Sequence, residues 1–244
     1  MLSVSVIGAR GRMGRLACDW IREANGLSLL GELDLGDRIA EELTKNKPMV
    51  ALDFTTASSA RENALAIVRA GVRPVIGTSG LSTGDLEALR IALEERQLGG
   101  IVVPNFSIGA VLMMRFAEQA ARLLPHVEIL EAHHTTKEDA PSGTARATAA
   151  RVAKARSEAP QDRSKELVEH VRGGTVDGIR VHSIRLPGVV AHQEVRFGAP
   201  GEQLSIRHDS TDRSCFRDGV LLALRAAPLA RGLVMGLEPL LSIS

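Results

Sequence analysis

The sequence predicts an α/β fold, with a Rossmann-type dinucleotide-binding domain and a second α+β domain that contains a mixed or antiparallel sheet. Two observations support this prediction. Up to about residue 105, short apolar segments alternate with amphipathic ones, a pattern typical of βαβ units in a parallel sheet. After Gly174, strand-like segments follow one another with Gly and Pro signals between them, which favours antiparallel pairing.

The chain begins with a predicted strand, a glycine-rich turn and a helix. The apolar run Val4–Ile7 stops at the turn Gly8–Gly14, and a helix is predicted over Arg15–Glu23. In dinucleotide-binding units, the backbone N–H groups of such a turn and the positive end of the helix meet a pyrophosphate. The spacing Gly-x-x-Gly-x-x-Gly departs from the common Gly-x-Gly-x-x-Gly, so the preceding strand is what supports the assignment. Arg10 and Arg12 either add contacts to phosphate or remain solvated loop charges.

A second predicted strand, Leu27–Leu33, leads into a carboxylate that suits the ribose of a dinucleotide. Asp34 lies at the carboxyl end of this strand, where ligands of open α/β sheets bind, and its oxygens can accept hydrogen bonds from ribose hydroxyls. Its negative charge repels a 2′-phosphate and the next basic residue is Arg38, so the sequence favours NADH and still allows NADPH. Glu32 shares the strand face of Asp34 and is the alternative ribose ligand.

Three further strands are predicted before residue 105, and small polar residues follow each of them. The strands and the helices between them are predicted over Met49–Phe54, Ala57–Arg69, Arg73–Ile76, Thr83–Arg96 and Ile101–Val103. The carboxyl ends of parallel strands line the ligand crevice, so Thr55, the segment Gly77–Gly80 and the segment Pro104–Ser107 are candidate ligand contacts. Taken alone, Thr55 and Ser79 are more often helix caps or turn residues than ligand contacts, and the neighbouring glycines are by default turn glycines.

The second half of the chain predicts a second domain. The predicted elements are helices over Ile108–Leu124 and Thr144–Arg156, strands over Arg180–Arg185, His192–Phe197 and Gln203–His208, and a closing helix over Arg213–Ala227. The closing helix resembles the first half in character, so we expect it to return to the nucleotide domain. The predicted domains are residues 1–106 with 216–244 for the dinucleotide, and residues 107–215 for a substrate.

The segment Glu128–Thr144 contains the residues best suited to chemistry. An apolar strand leads to His133 and His134, Lys137 follows, and Pro141-Ser142-Gly143-Thr144 opens an Ala-rich helix. An imidazole and an ammonium beside a helix N-terminus, whose N–H groups attract anions, suit proton donation to a small carboxylate-bearing substrate. The alternative interpretation is a polar loop with a helix cap. We expect no metal, because neighbouring residues of an extended chain point to opposite sides and no Cys or spaced His pair completes a tetrahedral set.

Composition argues against several classes of partner. Lys and Arg number 30 against 29 Asp and Glu, so the net charge of +1 provides no field for nucleic acid or an anionic membrane. Aromatic residues amount to 2% with no Tyr, which removes the stacking platforms of single-strand binders. No apolar stretch is long enough to span a bilayer and no secretory leader is recognisable, so we expect a cytoplasmic protein with Cys18 and Cys215 reduced.

With these residues assembled, the chain resembles the dihydrodipicolinate reductase family over nearly its whole length. The resemblance is most specific at His133-His134-x-x-Lys137 and Asp139-Ala140-Pro141-Ser142-Gly143-Thr144, and it extends to Gly8–Gly14, Asp53-Phe54-Thr55, Gly77-Thr78, Asn105-Phe106-Ser107, Glu131-Ala132, Arg207-His208 and Asp212-Arg213. It implies the NAD(P)H-dependent reduction of 4-hydroxy-tetrahydrodipicolinate, a small dicarboxylate, to tetrahydrodipicolinate in lysine and diaminopimelate biosynthesis. It also implies a homotetramer built through the sheets of the domain 107–215.

The resemblance also implies roles for individual residues. His133 matches the proton donor of the family, and Lys137 matches its second catalytic residue, which helps to hold the substrate. His134 matches a substrate contact, and Gly143 with Thr144 match the groups that bind a substrate carboxylate. The implied cofactor contacts, to NADH or NADPH, are Gly8, Ala9, Arg10, Gly11, Arg12, Met13, Asp34, Gly77, Thr78, Ser79, Pro104, Asn105, Phe106 and Ser107.

Two features depart from the family pattern. Many relatives carry a third histidine immediately before the lysine, where this chain has Thr136, so that imidazole adds nothing to substrate affinity here. The segment between Asp34 and Met49 is short for the family. Two alternative functions stay open at this point: another NAD(P)-linked reductase or dehydrogenase on the same scaffold, and a nucleotide-sensing protein without chemistry. His133 and Lys137 argue against the sensor, since sensing needs neither side chain.

Overall fold

The computed structural model describes residues 1–78, 80–158 and 161–241 of the 244-residue chain. The chain divides into two compact units, and each unit has its own sheet. The first unit combines Met1–Ser107 with Phe216–Ser244, and the second unit is Ile108–Cys215. Among the described residues, no helix combines the length and the apolar character needed to cross a membrane.

The first unit is built on a six-stranded parallel sheet. Its strands, numbered in chain order, are β1 Leu2–Ile7, β2 Leu27–Leu33, β3 Val50–Asp53, β4 Arg73–Ile76, β5 Gly99–Val102 and β11 Gly232–Met235. They are arranged in the order β2-β1-β3-β4-β5-β11, and each neighbouring pair is parallel. The order therefore reverses at β1, which lies between β2 and β3. Open α/β sheets bind their ligands at such a switch point, outside the carboxyl ends of the strands.

The helices of the first unit cover this sheet and bury its strands. They are α1 Arg12–Glu23, α2 Ile39–Asn46, α3 Ala57–Arg69, α4 Thr83–Glu95 and α7 Arg217–Ala226. Strands β3 and β5 are buried at every position, as expected for parallel strands that are covered on both faces. A buried cluster joins the sheet to three of the helices through Ile7, Leu43, Ile67, Ile76 and Leu93. The continuous apolar runs of the sequence therefore correspond to strands rather than to buried helices.

Two elements of the first unit are not predicted by the sequence pattern. Helix α2 lies in the segment that the sequence shows to be short, and Leu43 is the buried residue among its eight, so its apolar periodicity is weak. Strand β11 lies in the predicted tail, where it pairs with β5 at the edge of the sheet. Helix α1 begins at Arg12 rather than at Arg15. These features depend on contacts with distant segments rather than on local composition.

The second unit contains a mixed five-stranded sheet, which confirms the predicted fold class. Its strands are β6 His126–His133, β7 Gly174–Val176, β8 Ile179–Arg185, β9 Ala191–Ala199 and β10 Glu202–Ser210. They are ordered β10-β9-β6-β8-β7, with β6 and β8 parallel and the other neighbouring pairs antiparallel. The central strand β6 extends beyond the apolar residues from which it was predicted, and His133 is the last residue of the strand. The short strand β7 is not predicted by the sequence.

Two helices pack against each other and against this sheet: α5 Ile108–Ala121 and α6 Gly143–Ala155. The residues of α6 that are fully buried include Ala145 and Ala149, whose small side chains let the helix approach its neighbours closely. The crossover that parallel neighbours require runs from β6 through α6 and β7 to β8. At the end of this unit, the predicted closing helix is a 3₁₀ turn, Arg213–Phe216, followed by α7.

Replacement of Leu43 tests whether α2 contributes to the core. Leu43 is completely buried, so Leu43→Ala should lower the free energy of unfolding of the first unit by about 2–5 kcal/mol. The matched control is Leu35→Ala, because Leu35 is 94% exposed and should change stability by less than about 0.5 kcal/mol. Urea unfolding followed by circular dichroism provides the comparison. Equal stability of the two variants would contradict the packing of α2 against the sheet.

Candidate functional site

The glycine turn after β1 is held against the ends of two neighbouring strands. The N–H groups of Gly8 and Ala9 donate to the carbonyl of Leu33 at 2.8 and 3.0 Å. Gly8 has φ +79°, and a Cβ at this position would collide with the carbonyl of Phe54. A Cβ at Gly14 would collide with the carbonyl of Gly8. The turn therefore requires glycine at both positions, and it leads directly into the first turn of α1, whose N-cap is Gly11.

Asp34 lies beside this turn, at the carboxyl end of β2. Its Oδ2 accepts a hydrogen bond from the N–H of Arg10 at 2.6 Å, and its Oδ1 accepts one from the N–H of Leu35 at 2.8 Å. The hydrogen bond from Arg10, followed by that from Leu35, lowers the pKa of Asp34 below its ordinary value. Glu32 instead forms an ion pair with Arg22 of α1. The structure thus directs Asp34, rather than Glu32, toward the glycine turn.

A buried carboxylate ties together the loops that follow β3 and β4. Oδ1 of Asp53 accepts hydrogen bonds from the N–H of Thr55 at 2.8 Å, from Oγ1 of Thr55 at 2.7 Å and from Oγ1 of Thr78 at 2.9 Å. The side chain of Asp53 is fully buried. Thr78 is therefore held at the same sheet edge as the glycine turn, although its hydroxyl is engaged with the protein.

Two aromatic rings close this edge of the first unit. The rings of Phe54 and Phe106 meet edge to face with centroids 5.5 Å apart, and a Cβ at Gly77 would run into both rings. Asn105 accepts the N–H of Ser107 at 2.9 Å, which shapes the segment after β5. Of the sequence-predicted cofactor contacts, the exposed ones include Arg10, Arg12 and Pro104, whereas Ala9, Phe106 and Ser107 are buried. Ser79, also predicted as a contact, lies outside the described residues.

In the second unit, His133 is held by a buried carboxylate on its own strand. Nδ1 of His133 lies 2.6 Å from Oε2 of Glu131, and both terminal nitrogens of Arg185 donate to this carboxylate at 3.0 Å. The N–H of Ser142 donates to Oε1 of Glu131 at 3.3 Å. Burial alone would raise the pKa of Glu131, but hydrogen bonds from His133, Arg185 and Ser183 outweigh it and lower the pKa to about 2. Glu131 is therefore ionised at neutral pH.

The segment after β6 carries the other predicted residues. Nδ1 of His134 lies 2.8 Å from Oγ1 of Thr136, the residue that departs from the family pattern. Nζ of Lys137 donates to Oδ1 of Asp139 at 2.6 Å, and this hydrogen bond lowers the pKa of Asp139. The side chain of Lys137 is 23% exposed. An ammonium in this position can exchange a carboxylate of the protein for one of a ligand.

Helix α6 begins at the predicted anion site. Oγ of its N-cap Ser142 accepts the N–H of Ala145 at 3.1 Å, and Gly143 and Thr144 occupy the first turn of the helix. A Cβ at Gly143 would meet nothing within 4 Å, so there is open space beside this part of the backbone. The positive end of the helix dipole adds to the attraction for a carboxylate.

Sequence reasoning did not assign a role to Glu131 or Arg185. Glu131 precedes His133 by two residues on β6, so strand alternation places both side chains on one face. Arg185 lies opposite His133 in the parallel register of β6 and β8. The sequence therefore indicates that Glu131 and His133 share a face of the strand. It does not indicate that Arg185 lies opposite His133, because that contact depends on the register of two strands that are distant in the chain. No cluster of three or more His, Cys, Asp or Glu residues that could hold a metal ion occurs in the described parts of the chain.

Two family models match this chain. The model described as "Dihydrodipicolinate reductase, N-terminus" matches residues 2–106, and the model described as "Dihydrodipicolinate reductase, C-terminus" matches residues 109–241. The C-terminal match therefore includes α7 and β11, which the structure groups with the first unit.

The chain is also similar to individual proteins. Proteins named 4-hydroxy-tetrahydrodipicolinate reductase from Nocardia farcinica and Moorella thermoacetica are 46% and 43% identical to it, and the alignments cover 99% and 98% of both chains. A solved structure of dipicolinate-bound dihydrodipicolinate reductase from Paenisporosarcina sp. TG-14 superimposes with a TM-score of 0.90 at 38% identity. That alignment covers 99% of this chain and 100% of the other.

Proposed function

The chain belongs to the dihydrodipicolinate reductase family, and from this premise we propose that His133 is its proton donor. The protein is an NAD(P)H-dependent oxidoreductase that reduces 4-hydroxy-tetrahydrodipicolinate to tetrahydrodipicolinate in lysine and diaminopimelate biosynthesis. The observation that carries the proposal is the contact between Nδ1 of His133 and the ionised Glu131. This contact supports an imidazole of defined orientation at the end of β6.

The residues of the first unit fit a dinucleotide. The turn Gly8–Gly14 leaves no room for a Cβ at its first and last glycine, as expected of a backbone cradle for a pyrophosphate. When bound, the reduced nicotinamide supplies a hydride, and the charge that this leaves on the substrate must be quenched by a proton. We assign Asp34 to the ribose hydroxyls, with NADH as the preferred cofactor. The remaining contacts are those implied by the family resemblance, Ser79 included.

The substrate is a small dicarboxylate, and its two ends require separate positive groups. We assign one carboxylate to the N–H groups of Gly143 and Thr144 at the start of α6, and the other to Lys137 with His134. In this arrangement Asp139, which holds Nζ of Lys137 at 2.6 Å, gives way to the substrate carboxylate. Lys137 then binds substrate and assists its protonation, while the donated proton comes from His133.

We further propose a cytoplasmic homotetramer. In the second unit, residues such as Glu128, Leu130 and Arg196 line a groove, and edge strand β10 has mostly exposed side chains. Several apolar side chains of this unit, including Leu186 and Leu204, are 40% or more exposed. A sheet with exposed apolar residues and an exposed edge suits association with further copies of the chain.

Replacement of the proton donor should stop turnover without releasing the cofactor. His133→Gln should lower kcat by about 10²–10⁴-fold, the usual contribution of a positioned general acid. The dissociation constant of NADH should stay near the wild-type value, because the residues assigned to the cofactor belong to the other unit. Steady-state NADH oxidation and fluorescence titration measure the two quantities. The control is His170→Gln, since His170 has a side chain that is 82% exposed. Equal loss of NADH affinity and turnover in a folded variant would make His133 a structural residue.

Replacement of Asp34 should change cofactor choice. Asp34→Ser should shift the ratio of kcat/KM values toward NADPH by about 10-fold, because it removes a negative charge that repels the 2′-phosphate. Glu32→Gln is the matched variant, since Glu32 is paired with Arg22 and should leave the ratio unchanged. Initial rates with both cofactors provide the test. A shift in the ratio caused by the Glu32 variant instead would transfer the ribose contact to that residue.

Replacement of Lys137 should weaken dicarboxylate binding. Pyridine-2,6-dicarboxylate should compete with substrate, and Lys137→Met should reduce its affinity by about 1.5–3 kcal/mol, the usual contribution of a hydrogen bond to a charged group. The control is Lys154→Met, at the exposed end of α6. Pyridine-2-carboxylate should lose less affinity on the same mutation if it binds through the helix N-terminus. Unchanged inhibition by the dicarboxylate would remove Lys137 from the substrate site.

A further inference from the structure

We propose that Glu131 is the positioning residue of the proton donor. Its carboxylate holds the imidazole of His133 in the tautomer that carries hydrogen on Nδ1, so that Nε2 exchanges the proton with substrate. The inference deepens the proposed function, because it rests on His133 as the proton donor. It assigns a purpose to a charge that is otherwise unexpected in the interior of the second unit.

The geometry of the pair defines which nitrogen faces which group. Glu131 and His133 lie two residues apart on β6, and the Nδ1–Oε2 distance is 2.6 Å. The side chain of Glu131 is 0% exposed, whereas that of His133 is 15% exposed. The imidazole is thus anchored through Nδ1, and part of the side chain remains accessible. An ionised carboxylate can only accept a hydrogen bond, so Nδ1 must be the donor.

Arg185 keeps the carboxylate in place. Nη1 of Arg185 donates to Oε2 of Glu131 and Nη2 donates to Oε1, each at 3.0 Å, in a two-point contact that restricts rotation of the carboxylate. The same two nitrogens also donate to the backbone carbonyls of Ile184 at 2.8 Å and Asp139 at 2.6 Å. Arg185 is therefore engaged within the protein. Its positive charge balances the negative charge of Glu131 rather than the negative charge of a substrate.

The carboxylate remains ionised under the conditions in which an enzyme of this kind works. Hydrogen bonds from His133 and Arg185 outweigh the effect of burial and keep the pKa of Glu131 at about 2. Lys137 and Asp139 bind each other, and Arg146 of α6 acts on Asp139. Charged side chains of the neighbouring strands have partners of their own: Glu128 of β6 with Arg172 and His182, Arg180 of β8 with Asp162, and Glu194 and His192 of β9 with Arg196 and Asp209. Glu131 consequently accepts the hydrogen on Nδ1 and fixes the tautomer of the neutral imidazole.

An amide at position 131 reverses this preference. In Glu131→Gln, the NH₂ group must replace either Oε1, which faces Nη2 of Arg185 and the N–H of Ser142, or Oε2, which faces Nη1 of Arg185 and Nδ1 of His133. Oε1 has two partners that can only donate, Nη2 of Arg185 and the N–H of Ser142, whereas Oε2 has one such partner and the imidazole, which can become an acceptor; the hydroxyl of Ser183, which also hydrogen-bonds Glu131, can adapt to either atom. We therefore expect the NH₂ group to face His133, which moves the hydrogen of the neutral ring to Nε2.

The experiment compares wild type, Glu131→Gln and a matched control. Glu131→Gln should lower kcat by about 10-fold or more and move the alkaline limb of the pH profile of kcat/KM toward lower pH, with KM for the substrate little changed. Nitrogen-15 spectra of labelled histidine, assigned with His133→Gln, should show a change from the Nδ1–H to the Nε2–H tautomer. The control is Glu194→Gln, which removes another buried carboxylate paired with an arginine in the same sheet. It should leave both readouts unchanged.

A second variant protects the test against misfolding. Glu131→Gln/Arg185→Met leaves no uncompensated guanidinium in the interior, and it should show the same displacement of the alkaline limb. A loss of activity without a change in tautomer or in the pH profile would overturn the proposal and make Glu131 a purely structural residue. Wild-type protein without reductase activity would contradict the proposed function instead, while its histidine spectra would still report whether Glu131 sets the tautomer.

Discussion

A carboxylate that is withdrawn from water has to be paired, and the pairing of Glu131 organises the candidate site of the second unit. Its partners are the imidazole of His133, the guanidinium of Arg185 and the N–H of Ser142, which come from β6, β8 and the N-cap of α6. Satisfying one buried charge therefore brings together two strand ends and a helix start. His133, the proposed proton donor, and the N-terminus of α6, the proposed carboxylate site, share this support.

In the first unit a buried carboxylate again joins two loops, here through N–H and hydroxyl donors rather than a charged partner. Asp53 is fully buried, and its Oδ1 is satisfied by Thr55 and Thr78, so the loops after β3 and β4 are joined at the switch point of the sheet. Close packing does the rest, since Gly8 and Gly77 occupy positions where a Cβ would meet backbone or aromatic rings. In both units, candidate site residues thus lie beside buried carboxylates that accept hydrogen bonds.

The sequence predicts an element well where the burial of that element determines its pattern of apolar residues. Helix α3 and strand β4 occupy the ranges that periodicity predicts, because the helix buries one stripe of its surface and the strand is apolar and buried after its first residue, Arg73. Helix α2 and strand β11 escaped prediction because the former buries little more than Leu43 and the latter is defined by its pairing with β5. Short elements at an edge depend on partners that are remote in the chain.

The sequence by itself determined the fold class and the candidate reacting groups, since an imidazole, an ammonium and a glycine turn before a helix carry their chemistry in the residue types themselves. The tertiary structure decided how those groups are held. Between Glu32 and Asp34, which strand alternation cannot separate, it turned the first to Arg22 and the second to the N–H of Arg10. It also joined Glu131 to Arg185 across 54 residues. Such pairings follow from strand register and from the requirement to satisfy buried charge, and neither is encoded in any local segment.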